Sequence, residues 1–342
     1  MLFKFPFRAM GSGCEVLIRG QDQRQAQAWV TTALQGVGRL EAKYSFFLPE
    51  SLLARINREA YHQPVALDDE TLRLLEEADR LHRDTGGAFD PTIGGLKGLW
   101  NFSAMALPPD QEISRALEGV GWDKVEWEKG ALRFLHPDTR LDFGGLVKEY
   151  AVDVCVAALE TLGTGNGLEA GLVNLGGDLR VVGRIAPDGR PWNVGVADPR
   201  RHGSSLATIS LYQGAVVTSG DYMRYFLRDG LRYHHLLNPR TGRPFPLEFS
   251  SVTAHGATAL EASGRVTRVL YGGRGALPAI PPTQPPPPEF SGLPATRPDL
   301  VLRAPPGSHA LFAYDNQGAP AFLQDEETCA YRAHPQGGWQ VS

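Results

Sequence analysis

The sequence predicts an α+β fold built from mixed or mostly antiparallel sheets with helices packed on them. Two patterns lead there. Strand-like stretches and helical stretches do not alternate strictly, as a doubly wound parallel sheet would require. In the second half, strand-like runs follow one another directly, separated by turns rich in Gly, Pro and Asp.

Taken in chain order, the first strand starts almost at Met1, and CEVLIRG (Cys14–Gly20) alternates apolar and polar residues like a half-buried strand. Val30, Leu34, Val37 and Leu40 then recur at helical spacing, followed by the aromatic stretch YSFFLPES. Asp68 is placed to cap a helix carrying Leu72, Leu75, Ala78 and Leu81, which should stop at Gly86-Gly87. Val147, Ala151, Val154 and Ala158 mark another helix, entered through Gly144-Gly145. The strand-like stretches LVNLGGDLRVVG, WNVGVADP, LATISLYQGAVVTSG and YHHLLNP follow. Thr258 to Glu261 has the form of a capping box, so a helix should begin there with Leu260, Ser263, Thr267 and Leu270 on one face. ALFAYDNQGAPAFLQ reads as a hairpin turning between Asp315 and Gly318. No internal repeat is present.

The 342 residues suffice for one large domain or two closely joined ones. Apolar residues make up 42% and charged residues 21%, which excludes wholesale disorder and a membrane bundle. A net charge of -4 provides no basic footprint for nucleic acid. No apolar window reaches the roughly 20 residues of a membrane-spanning helix, and no secretory leader is visible, so the expected compartment is the cytoplasm, or the periplasm should a leader be missing from this sequence. Cys14, Cys155 and Cys329 are widely spaced and form neither a disulfide framework nor a zinc pattern, so all three are expected to be structural. Nine prolines between Pro278 and Pro298 favour polyproline II and a semi-rigid connector. The expected organisation is a main domain over 1–275, a connector over 276–300 and a C-terminal hairpin region over 301–342 that packs back on the main domain.

Chemistry concentrates in a few places. Lys148 stands in the first turn of the helix after Gly144-Gly145, where a cation is unfavourable unless an anion is bound; a phosphate seat and a surface lysine beside a tight turn are equally good readings of that segment. Asn174-Leu175-Gly176-Gly177-Asp178 lets a ligand approach the backbone or simply makes a tight turn. The densest segment is TSGDYMRYFLRDGLRYHHLLNPRTGRP, where Thr218, Ser219 and Asp221 precede Arg224, His234, His235, Asn238, Arg240 and Thr241. Strand alternation puts His234 and His235 on opposite faces, so at most one points into a site. Ser263 and Thr267 either ligate a metal weakly or bond back to carbonyls one turn earlier.

Seven pieces, in order, resemble the FAD:protein FMN transferase (ApbE) family: AMGSG, SFFLPESLLARIN, GGAFDPTIGGLKGLWNF, LDFGGLVKEYAVD, LVNLGGDLRVVG, VVTSGDY and HHLLNPRTGRP, spanning about Phe7 to Leu270. The resemblance implies the family's α+β architecture with FAD in a cleft between two subregions. It implies FAD contacts from Met10, Phe89, Asp90, Lys148, Gly176, Gly177, Asp178, Thr218, Ser219, Asp221 and His235. It further implies transfer of FMN from FAD to a Thr or Ser hydroxyl of a redox flavoprotein domain, with AMP leaving. His235 is then the expected base, Lys148 a source of positive charge for the phosphoryl oxygens, and Asp221 an orienter of the base or a flavin contact. A magnesium ion would sit at the Val147 carbonyl, Ser263 and Thr267. Here the sequence departs from the family, which has an aspartate where Ser263 stands; a neutral hydroxyl binds a hard cation much more weakly than a carboxylate. The family often has aspartate at Asn238 and a tyrosine near Phe47, and it continues with helix beyond Leu270. Two alternatives therefore stand beside the transferase: a hydrolase splitting FAD to FMN and AMP, and a FAD-binding homologue without catalysis.

Overall fold

The computed structural model describes residues 1–163, 165–183, 190–201, 203–276, 301–304, 310–315, 320–324, 330–333 and 339–341. In chain order the elements are β1 (Leu2–Ala9), β2 (Ser12–Arg19), α1 (Gln23–Tyr44), α2 (Leu52–Glu59), β3 (Val65–Ala66), α3 (Asp69–Asp84), α4 (Gly94–Leu99), α5 (Asp110–Glu118), β4 (Val125–Glu128), β5 (Ala131–Phe134) and α6 (Val147–Gly163). They continue with β6 (Ala170–Leu175), β7 (Asp178–Val182), β8 (Trp192–Ala197), β9 (Ser205–Leu211), β10 (Ala215–Gly220), β11 (Tyr225–Arg228), β12 (Leu231–His234), β13 (Phe249–Gly256) and α7 (Ala259–Gly272). Last come β14 (Val301–Ala304), β15 (Ala310–Asp315), β16 (Pro320–Gln324), β17 (Ala330–Ala333) and β18 (Trp339–Val341). The chain divides into two compact units, one of residues 1–38, 148–220 and 248–342, the other of 39–147 and 221–247.

The first unit is organised by a ten-stranded sheet in the order β1-β2-β6-β7-β10-β13-β15-β16-β17-β18, antiparallel at every junction. Its inner strands are buried almost continuously, as in β6, whereas β2 alternates buried Cys14, Val16 and Ile18 with half-buried neighbours. A second sheet, β14-β9-β8, pairs β14 with β9 in parallel and β8 with β9 antiparallel, which makes the fold mixed. Trp192, Val194 and Val196 of β8 alternate inward and close a core with Leu172, Val181, Ile209 and Val216. α7 packs on β10 and β13. Thr258 caps it by accepting from Glu261 N at 3.1 Å, and Glu261 reaches back to Ala257 N at 3.0 Å, one residue short of the capping-box partner. β15 and β16 form the expected antiparallel pair, and β15 also adds to β13.

The α6 face differs from the expected one. Ala151, Val152, Cys155, Val156 and Leu159 are buried, while Val154 is half-buried against α1, where a Cβ on Gly36 would lie 3.1 Å from Val154 Cγ1. Two surfaces flank this helix, so a single four-residue repeat does not describe it.

The second unit holds α2 to α5, the antiparallel sheet β3-β5-β4 and the β11–β12 hairpin. α3 begins and ends where its sequence says: Asp68 Oδ1 accepts from Thr71 N at 3.0 Å, and Gly86 and Gly87 take positive φ after its last turn. α2 is capped by Ser51, whose Oγ accepts from Ala54 N at 2.9 Å. A core of Leu96, Trp100, Ile113, Phe226 and Leu237 holds α4, α5 and the hairpin together. The NPRTG turn is tied into this core: Trp100 Nε1 donates to Gly242 O at 2.9 Å, and a Cβ on Gly242 would come within 2.4 Å of Ile113 Cγ2. Pro278–Pro298 and Cys329 lie outside the described residues. Cys14 and Cys155 are buried and form no disulfide among the described residues.

Candidate active site

The residues singled out by sequence fall into two groups, one in each unit. In the first unit, Met10-Gly11 and Gly176-Gly177 are both two-residue hairpin turns with positive φ at each position (50° and 73°, 62° and 101°). Met10 is the one of these four that is not glycine; a side chain there is held in a conformation L-residues rarely adopt. Pairing of β2 with β6 brings the two turns together, because a Cβ on Gly176 would sit 2.8 Å from Ser12 and 4.0 Å from Lys148 Cδ. The paired glycines thus serve a tight turn and leave room for Ser12 and Lys148.

Lys148 donates to Asp178 Oδ2 and lies 3.7 Å from Glu149 Oε1. The carboxylates are deeply buried, with side-chain exposures of 1% for Asp178 and 8% for Glu149, against 25% for Lys148. Burial works against the Lys148 ammonium, but Glu149 and Asp178 outweigh it and hold the lysine above its usual range. Burial, helped by Glu149, pushes the Asp178 carboxyl well above the usual carboxylate range against the pull of Lys148. Asp178, one of two carboxyls beside a single ammonium in this poorly solvated space, therefore holds its proton to higher pH than an exposed aspartate. Glu149 Oε2 has no hydrogen-bond partner among the described residues. Lys148 is therefore a partner of two acids before it is anything else, and its charge is not a free seat for phosphate. Sequence reasoning passed over Glu149; the signal was a second ionisable residue beside Lys148 at a helix N-terminus.

Asp178 Oδ1 also accepts from Thr218 N at 3.4 Å, and Thr218 Oγ1 bonds Thr253 Oγ1 at 2.8 Å. Ser219 follows, half-buried, on β10. Asp153, from the same helical motif as Lys148, accepts from Arg180 (2.6 Å), Ala259 N (2.9 Å) and Leu260 N (3.0 Å). It thereby caps α7 and fixes the helix that carries Ser263 and Thr267.

In that helix Ser263 is buried and Thr267 half-buried. Val147, the third residue expected at a magnesium ion, opens α6 and belongs to the other unit. No group of three or more His, Cys, Asp or Glu side chains able to hold a metal ion exists among the described residues. A donor set of two neutral hydroxyls and a carbonyl does not match a hard dication, and the expectation of a magnesium site at Val147, Ser263 and Thr267 gains no support.

In the second unit, Asp90 is buried and its Oδ1 accepts from Thr92 N (2.8 Å) and Thr92 Oγ1 (2.6 Å), so it shapes the turn into α4. Phe89 takes a bond from His82 Nδ1 at its carbonyl (3.0 Å), and its ring would be 3.1 Å from a Cβ on Gly145. Asp221 is buried and engaged by Arg232 at 2.8 Å. Burial raises its carboxyl above the usual range, against the opposing pull of Arg232 and His234. His234, at the end of β12, is buried with Nε2 on Phe245 O at 3.0 Å.

His235 is half-buried and follows the last residue of β12, so the strand alternation expected for the two histidines does not extend to it. Its Nδ1 donates to Arg224 O at 3.3 Å, which leaves the Nε2 lone pair as the acceptor. Arg224's carbonyl thus orients the imidazole, and Asp221 is committed to Arg232 instead. Burial, with Arg224, His234 and Lys97 adding positive potential, lowers the His235 pKa to about 4. The ring is neutral throughout the physiological range.

The profile of the ApbE family matches residues 10–280. The FAD:protein FMN transferase of Vibrio cholerae is 33% identical over 235 residues, covering 67% of this chain and 69% of that protein. The enzyme of the same name from Treponema pallidum is also 33% identical over 235 residues, covering 64% of each chain. Among solved structures, the ApbE protein of Thermotoga maritima superposes with a TM-score of 0.77 at 28% identity, covering 96% of this chain and 98% of that one. A variant of the flavin transferase ApbE from Vibrio cholerae superposes with a TM-score of 0.70 at 25% identity, covering 95% and 97%.

Proposed function

The chain belongs to the ApbE family, and on that premise we propose that it transfers FMN from FAD to a Thr or Ser hydroxyl of an acceptor flavoprotein domain, with release of AMP. The observation that carries this reading is the identity of its relatives: proteins 33% identical over two thirds of the chain are FAD:protein FMN transferases. The geometry is compatible with the chemistry. A hydroxyl attacking phosphorus must lose its proton, and His235 offers a neutral imidazole with Nδ1 already bonded and Nε2 open to receive it. The new bond joins the acceptor oxygen to the FMN phosphorus, and the bond to the AMP oxygen breaks. Thr218 and Ser219 are polar groups for the flavin nucleotide at the end of β10, and the Met10-Gly11 and Gly176-Gly177 turns permit a close backbone approach. Asp178 and Glu149, as buried carboxyl acceptors, suit hydroxyl or amino donors better than phosphate oxygens.

The test mixes the purified protein with FAD and a flavin-acceptor domain that the Vibrio cholerae flavin transferase labels. Flavin fluorescence that stays with the acceptor through denaturing electrophoresis is the expected result. FAD cleaved to FMN and AMP without labelling points to hydrolysis, and intact bound FAD to a homologue without catalysis.

A further inference from the structure

We infer that the β11–β12 hairpin is the surface on which the acceptor protein docks, gripping an apolar, acidic segment of it. This inference rests on the transferase reading above and names the partner-binding element of the same unit.

The hairpin turns at Asp229-Gly230, both with positive φ (52° and 75°), in the two-residue form that matches strand twist. Its base is anchored. Phe226 and Tyr233 face each other across the strands, stacked at 5.2 Å and 14°, with Tyr233 on Trp100 at 6.1 Å and Phe102 beside Phe226 at 6.1 Å. Its distal part buries nothing. Leu227 is 62% exposed and Leu231 61%, with Met223 at 73% and Tyr225 at 39%. By register Leu227 pairs with Arg232 and Leu231 with Arg228, so the two leucines stand on opposite faces of the ribbon and both faces are bare. β11 and β12 pair only with each other among the described residues. Scattered exposed leucines need no explanation, but Leu227 and Leu231 on the ribbon, with Tyr225 partly covered by Arg232 at 4.6 Å and Met223 just before β11, together make an apolar recognition surface. A rigid base lowers the ordering cost of binding there.

Charge selects the partner. The chain has a net charge of -4, yet the stretch from Arg224 to Tyr233 holds three arginines against Asp229; Arg232 is already paired with Asp221, so Arg224 and Arg228 are the charges that meet a partner. The ion pair of Arg228 with Asp229 spans 3.8 Å at exposures of 52% and 90%, so a partner carboxylate can replace it at little cost. The hairpin is continuous in sequence with Asp221 before it and His235 immediately after it, so a partner held on the ribbon is tethered next to the expected base.

Leu227→Ser/Leu231→Ser and Arg228→Glu change only exposed side chains, and an unchanged thermal midpoint would establish that they fold. With the Vibrio-labelled acceptor domain as probe, the double variant should raise KM for the acceptor at least about tenfold, with KM for FAD unaltered. Arg228→Glu should do so most at low salt. Unchanged acceptor kinetics in both variants would overturn the docking role. So would a dimer of the wild type that the double variant makes monomeric while labelling persists, which would assign the surface to a second copy. Direct binding of the acceptor domain, measured in parallel, separates this inference from the transferase reading. An acceptor that binds the wild type and not the double variant sustains the hairpin even if no flavin is transferred, whereas equal binding or none refutes it.

Discussion

The Lys148–Glu149–Asp178 cluster of the first unit and the His235 strand of the second solve opposite electrostatic problems. The cluster gathers two acids and one base in a poorly solvated space, and Glu149 Oε2 has no hydrogen-bond partner among the described residues. The hairpin spreads its charges into solvent and keeps a neutral imidazole at its foot, where the Arg224 carbonyl accepts from Nδ1 and decides the tautomer. In the first region stability is tied to the protonation of Asp178. In the second, removing the imidazole disturbs little that holds the fold.

The largest effect that would separate them is on stability. Lys148→Met leaves two buried carboxyls without their ammonium and should cost about 3–5 kcal/mol at neutral pH. Chemical denaturation would read it, and the loss should shrink at pH 5, where Asp178 takes up a proton. A loss independent of pH would mean that Asp178 is not held protonated by its burial.

His235→Ala should lower the rate of flavin transfer by about 10²-fold or more with little change in unfolding free energy. The wild-type rate should hold steady from pH 8 down to about 5 and fall only as His235 is protonated near pH 4. An inflection near 6.5, the ordinary histidine value, would falsify the buried, orienting environment assigned to it.

Asp153→Ala removes the acceptor of two backbone amides of α7 and should cost about 1–2 kcal/mol. Unfolding of a variant with unchanged midpoint would show that Arg180 or solvent replaces the cap.

The smallest effect concerns Glu149→Gln. The folded-state pKa of Asp178 is raised above its unfolded value, so its contribution to stability is present at low pH and is lost as pH rises from about 3.9 through the folded value. Glu149 adds to that raise, so the glutamine should flatten the decline across this window by less than about 1 kcal/mol. A steeper decline in the variant would show that Glu149 helps Asp178 to ionise.

What could be read ahead of the structure was local. Asp68 and Gly86-Gly87 bounded α3 because a side-chain cap and positive-φ glycines act within a few residues. The alternation of Cys14, Val16 and Ile18 placed β2, whereas β12 ends at His234, so alternation could not orient His235. α6 was located but its face was misjudged, because two packing surfaces flank it and periodicity describes only one. α2 was passed over as part of an aromatic motif, although Ser51 was there to cap it.

The partners of the charged residues were not legible. Asp221 pairs with Arg232 across a hairpin, Lys148 with Asp178 across thirty residues, and Asp153 with the start of α7 across more than a hundred. Sequence determined the α+β class, the family, and which residues are chemically capable, since periodicity, capping and motif order are properties of short segments. Tertiary structure alone decided that Lys148 is already matched by two acids, that a carbonyl and not Asp221 orients His235, and that two leucines stand bare on a hairpin. Burial and long-range pairing set the charge, tautomer and exposure of a side chain, and those are fixed only when distant parts of the chain meet.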